Sequence, residues 1–235
     1  MVLLRVGIDS GSGGIQGPLF ADSSFEFICI PDNKGIDPRT YGNTVGIKGT
    51  PHVHYFPKSQ QAEMTSQSIH VDPEFETFTY GDPTRPKAGL RKLKAGDMLV
   101  FYAGLEGFDF PSLPALYLVG YFEVIAAGMA TEFAKEVLQR DFGCNFHVRH
   151  PSVFALQEAD LVLVKGGSGS RLLKKAYCIS AMDVDRSGNP LKVLAPAMQK
   201  TFGNFGGKIS IQRSPPRWVD PEYVTTAAHF VKSLP

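Results

Sequence analysis

Residues 5–14 hold the first arrangement with usable chemistry. Asp9 closes an apolar run. It is followed by Ser10, Gly11, Gly13 and Gly14, and these glycines reach backbone conformations closed to other residues. Such a turn offers a carboxylate for proton transfer and a row of backbone N–H groups able to hold an anion. Two nucleotide-binding patterns are excluded. The P-loop needs a lysine followed by serine or threonine, and the dinucleotide fingerprint needs a helix opening after its glycines. Here Ile15-Gln16-Gly17-Pro18 continues as turn or strand. A strand–turn–strand hairpin without a ligand accounts for the same residues.

The histidines form the second group. If residues 52–56 are extended, His52 and His54 share a face, and by the same alternation so do His70 and Asp72. Two imidazoles and a carboxylate suit either a divalent metal or a general base with its orienting partner. No ligand spacing is diagnostic, so no metal ligand and no cofactor is assigned. His70 and Asp72 stand instead as proton-transfer or nucleotide-contacting residues. The third group is Lys165, Arg171, Lys174 and Lys175 around a glycine- and serine-rich turn, which suits a phosphate chain or a solvated hairpin tip equally. The fourth pairs Arg149 and His150 with Arg213, Ser214 and the single tryptophan, Trp218. An aromatic ring beside arginine can stack on a base, and Trp218 can equally be a packing residue.

The elements that must position these residues are read from periodicity and punctuation. Residues 2–8 and 25–30 are expected as strands, the second ending at Pro31. Residues 33–50 read as loop. Residues 98–103 and 115–125 are the strongest strands, and 161–164 and 175–181 flank the turn at 166–169. A helix is expected over 130–142, stopped by Gly143, and another over 221–234, with Asp220 as its cap. Many strands with few helices predict an α+β fold, and no linker divides residues 1–235, which are expected to form one domain.

The chain has 235 residues, 43% hydrophobic and 20% charged, a globular composition. A net charge of +1 excludes nucleic-acid binding argued from charge alone, so anion binding must be local. The three cysteines are dispersed, which disfavours a zinc site or a disulfide framework and favours a reducing compartment. No apolar run is long enough for a membrane span, and residues 1–6 are too short for a signal core, so a cytoplasmic protein without a membrane partner is expected.

In order along the chain stand 5–10, Gly13-Gly14, 17–20, Ile30-Pro31-Asp32 and 70–75, then 93–97, 100–102, 118–124, Arg213-Ser214 and Trp218. This series resembles the third type of nucleotide-modification-associated domain over nearly the whole chain. It departs from that pattern at Ile8 and at Gln16-Gly17. Gly96-Asp97 and Gly120-Tyr121-Phe122 are also similar to the PUA, ASCH and EVE barrels, which bind nucleic acid or an extruded base. The first resemblance implies a role in DNA base modification. Together the two imply a mixed, mostly antiparallel sheet or a partly open PUA-like barrel with a few peripheral helices. The expected partner is a nucleotide or nucleic acid. It would be bound by Arg5, Ser10, Gly13, Gly14, Arg149, Lys175, Arg213, Ser214 and Trp218, with Tyr80 and Tyr102 as further stacking surfaces. It would be acted on through Asp9, His70, Asp72 and His150. A reader of modified bases, or a hydrolase or transferase of small phosphorylated molecules, is the alternative.

Overall fold

The two longest apolar runs of the chain form its two longest strands, and the rest of the sheet is laid against them. The structure, a computed structural model, describes residues 1–212 and 215–235. Its strands are β1 (Val2–Arg5), β2 (Gly17–Leu19), β3 (Ile30–Pro31), β4 (Ile69–His70), β5 (Thr79–Asp82), β6 (Met98–Gly107), β7 (Ala115–Met129), β8 (Val162–Gly166), β9 (Arg171–Cys178), β10 (Ser180–Val184), β11 (Pro190–Leu194) and β12 (Arg217–Trp218). The α-helices are α1 (Lys58–Met64), α2 (Lys135–Phe142), α3 (Phe146–Arg149), α4 (Pro151–Gln157), α5 (Pro196–Phe202) and α6 (Val224–Ser233).

The main sheet runs β12-β1-β6-β7-β8-β5, with β2 also on β6 and β9 also on β7. Strands β1 and β2 lie parallel to β6, and the other pairings are antiparallel. The sheet does not close, so the open mixed sheet is the form adopted. β6 is buried on both faces over its first eight residues, which is why it reads as a continuous apolar run rather than an alternating one. Phe101 on β6 and Phe122 on β7 are fully buried, with ring centroids 4.7 Å apart, edge to face. Burying each such side chain contributes roughly 1.5–3 kcal/mol. No helix among the described residues is long and apolar enough to cross a membrane.

Several elements differ from the sequence-based expectation. β1 stops at Arg5 because Gly7 turns the chain at φ +76°, where a Cβ would lie 3.0 Å from the Phe27 ring. Of residues 25–30 only Ile30 enters a strand, in the short β3–β4 pair. Residues His52–Tyr55 are a 3-10 helix bracketed by Pro51 and Pro57, not a strand. His52 is therefore buried while His54 is exposed, and they share no face. The expected helix over 130–142 is split. A 3-10 turn at Ala130–Glu132 ends at an extended Phe133, and α2 begins at Lys135. The 175–181 strand is two, β9 and β10, broken at Ile179. The C-terminal helix opens with a 3-10 turn at Pro221–Tyr223, and the Asp220 side chain makes no capping bond.

A cleft built on two histidines and a buried aspartate

β1 and β2 ride the same edge of β6, with Arg5 opposite Tyr102 and Gly17 opposite Leu105. Residues 6–16 therefore leave the sheet as a loop whose ends are held a few residues apart. Gly104 lies under that gap, where a Cβ would collide with the Gln16 side chain. Arg5 projects from the root of the loop. Its guanidinium bonds the Gln212 carbonyl and pairs with the Asp9 carboxylate at 2.8 Å.

The glycine turn itself is internally satisfied. Asp9 Oδ1 accepts the Gly11 N–H at 2.8 Å, and the Asp9 carbonyl accepts those of Ser12 and Gly14. Three amides that an anion-holding nest would need are already engaged. Gly13 is required by packing, since its φ is +110° and a Cβ would stand 2.5 Å from Ile8.

Across from Arg5 the chain brings three ligand-type side chains together. His70 comes from β4, paired with Ile30 of β3. Asp72 follows two residues later. Its Oδ2 accepts the N–H of Gly81 on β5 at 2.8 Å and the Asn145 amide at 3.5 Å. Asn145 is fully buried and caps α3, its side chain accepting the His147 N–H. That cap holds His147 at the start of the short helix, with Nε2 3.5 Å from Asp72 Oδ2. Its Nδ1 meets Gln157 Oε1, at the end of α4, at 2.7 Å. The His70 ring stacks on Phe146, centroids 3.9 Å apart, and meets His147 edge-on at 4.8 Å. Each of His70, Asp72 and His147 offers one ligand atom, and these atoms lie within 4.8 Å of one another.

Burial sets the protonation of this cluster. It pushes the Asp72 carboxyl well above the usual carboxylate range, against the opposing pull of the Gly81 N–H. Burial, with His147 alongside, lowers His70 to about 3, and burial lowers His147 as well. Both imidazoles are therefore neutral at physiological pH. Next to them Tyr80 bonds Asp82 Oδ2 at 3.1 Å, and Lys87 pairs with the same oxygen at 3.3 Å.

Arg5, Asp9, His70, Asp72, Lys87 and His147 all line one cleft of about 440 Å³. Tyr80 lines it too, whereas the other described residues singled out from sequence do not. Ser10 and Gly14 line a neighbouring cleft with His54 and Phe108. Arg149 bonds the buried Asp37, and His150 Nε2 lies 3.5 Å from the same carboxylate. Phe146 touches both His70 and His150, so the Arg149–His150 pair sits beside the cluster without entering the cleft. Lys175 is exposed on β9, while Lys165 and Arg171 are spent on backbone carbonyls, so the four cations around the 166–169 turn make no common patch. Trp218, 39% exposed, lies on the edge strand β12. Tyr102 is fully buried with its hydroxyl on the Ile211 carbonyl, so it offers no stacking face. Arg213 and Ser214 fall outside the described residues.

The sequence model of nucleotide modification associated domain 3 matches residues 1–232. The chain belongs to the nucleotide modification associated domain 3 family. No curated protein matches it, and no solved structure does. The family match spans the whole cleft of this nucleotide modification associated domain, including three residues that sequence reasoning left without a role. His147 stands two residues before Arg149, and Lys87 opens the basic stretch 87–95, and neither position has a diagnostic spacing. Gln157 carried no local signal at all. Their roles depend on partners far away in the chain, so no spacing rule reaches them.

Proposed function

We propose that the protein binds a nucleotide, free or presented by nucleic acid, in the cleft between the 6–16 loop and β5, and takes part in modifying its base. The carrying observation is the convergence of Arg5, Asp9, His70, Asp72, Lys87 and His147 from separate segments on one concave site in a chain of this family. A cleft of about 440 Å³ lies in the usual range for small-ligand sites. Arg5 and Lys87 supply cations for a phosphate. Each is already paired with a carboxylate, Asp9 or Asp82, so an incoming phosphate exchanges partners instead of meeting a bare charge. That fits a chain whose net charge is only +1. The buried acid and the neutral imidazoles beside it are groups suited to moving a proton on a bound base.

Thermal unfolding with mononucleotides and with base-modified oligonucleotides tests the reading. A ligand at about 100 times its Kd adds about 2.7 kcal/mol, enough to raise the melting temperature by several degrees. Arg5→Ala and Lys87→Met should each shrink that rise. If no nucleotide and no modified oligonucleotide moves the transition, the reading is wrong. Asp72→Asn then separates an enzyme from a reader: an enzyme loses turnover and keeps binding, whereas a reader changes in affinity alone.

A further inference from the structure

We propose that His70, Asp72 and His147 form a binding site for one divalent first-row transition metal, open to the cleft. Gln157 Oε1 is an acceptor, so at 2.7 Å it accepts a hydrogen bond from His147 Nδ1–H, the tautomer that carries its lone pair on Nε2. That lone pair faces Asp72 Oδ2 at 3.5 Å, an oxygen already accepting from Gly81 and Asn145. Two lone pairs so placed can share one cation. The Asp72 side chain is 3% exposed, and its other oxygen, Oδ1, is buried without a hydrogen-bond partner among the described residues. An orphaned carboxylate oxygen at such depth is costly, and a metal beside it removes the cost.

The geometry is close to what a metal needs. Bonds of about 2.1 Å in a tetrahedral site put neighbouring ligand atoms about 3.4 Å apart. The Asp72–His147 pair already has that spacing at 3.5 Å. All three ligand atoms fall within 4.8 Å of one another, so metal binding asks the partly exposed His70 to close by up to about 1.4 Å. The outer contacts are those that steady metal ligands: an amide oxygen on the far nitrogen of a histidine, and N–H donors on the carboxylate. Two nitrogens and one oxygen suit iron, manganese, cobalt or zinc. They are too few oxygens for calcium and the wrong donors for magnesium. Three protein ligands leave coordination positions for water or a bound molecule on the cleft side.

The test uses the full chain, freed of any affinity tag and stripped with chelator, titrated with Co²⁺ in the absence of nucleotide. It therefore stands apart from the nucleotide reading. One equivalent should bind with a visible absorption band that Zn²⁺ displaces and Mg²⁺ in large excess does not. His147→Gln and Asp72→Asn should lose stoichiometric binding, and Gln157→Leu should weaken it about 10- to 100-fold. His54→Ala, in the neighbouring cleft, should bind as the parent does. Failure of the parent chain to bind one equivalent overturns the proposal, as does undiminished binding in the ligand variants. Should circular dichroism show those two variants misfolded, His70→Gln at the partly exposed ligand decides: retained binding overturns the proposal, and lost binding upholds it.

Discussion

His147 and Asp72 meet at 3.5 Å because Gly81 has no side chain. A Cβ at Gly81 would stand 2.9 Å from Asn145 Oδ1 and 3.0 Å from His147 Cδ2. Asn145 and His147 are both buried and tied to each other through the α3 cap, so neither can withdraw cheaply. Gly81→Ala should therefore cost about 1–3 kcal/mol. At roughly 2–4 °C per kcal/mol for a chain of this size, calorimetry should show the loss directly. An unchanged melting temperature would mean the Asn145–His147 pair yields more readily than its burial implies.

Glu26 is a second buried acid with a structural task. It is 1% exposed, and its two oxygens accept the N–H groups of Ile47 and Lys48 at 2.8 and 2.7 Å. Tyr55 adds a hydroxyl bond at 3.2 Å. An amide keeps one accepting oxygen and turns a donor toward a backbone N–H. Glu26→Gln should lower stability by about 1–3 kcal/mol in urea unfolding. Loss within experimental error of zero would show that the 46–48 turn can be satisfied by other groups.

Asp37 gives a pH dependence of known sign. Burial opposes its ionisation, but the Arg39 hydrogen bonds and the Arg149 charge outweigh burial and hold its carboxyl below the usual range. A carboxyl with a folded pKa below its unfolded one stabilises the fold above the unfolded value, about 3.9, and loses that contribution as pH falls through the folded value. The stability gap between the parent and Asp37→Asn should be about 2 kcal/mol at neutral pH and shrink only below about pH 4. A gap that closes already between pH 5 and 7 would show that the Asp37 carboxyl is not held below its ordinary range.

The thiols divide by burial. Burial pushes Cys29 up to about 12, whereas Cys144 and Cys178 are exposed. A disulfide-exchange reagent should count two thiols in the folded protein and the third only after unfolding. Three fast thiols in the native state would show that the core around Cys29 and Tyr41 opens readily.

Much of the scaffold was legible in the sequence. The apolar runs at 98–103 and 115–125 became β6 and β7, each extended by four residues, and the two-sided burial of β6 is the reason its run does not alternate. The C-terminal helix was readable from Pro221 near its first turn. Where local chemistry conflicted with pattern, the pattern misled. Prolines 51 and 57 closed 52–56 into a helical turn, which separated His52 from His54.

The ordered motifs of the sequence by themselves determined the family and the α+β class. They also marked His70 and Asp72, two positions apart, as a pair worth following. Only the tertiary structure decided that Arg5 and Asp9 would line a cleft with them, and that Arg149 and His150 would turn to Asp37 instead. It alone brought His147 to Asp72. The physical reason is that periodicity and turn residues encode the conformation of a few neighbours. The meeting of β5, the 70–72 segment and α3 depends instead on antiparallel pairing of β5 with β8 and on one buried asparagine bonded to both His147 and Asp72.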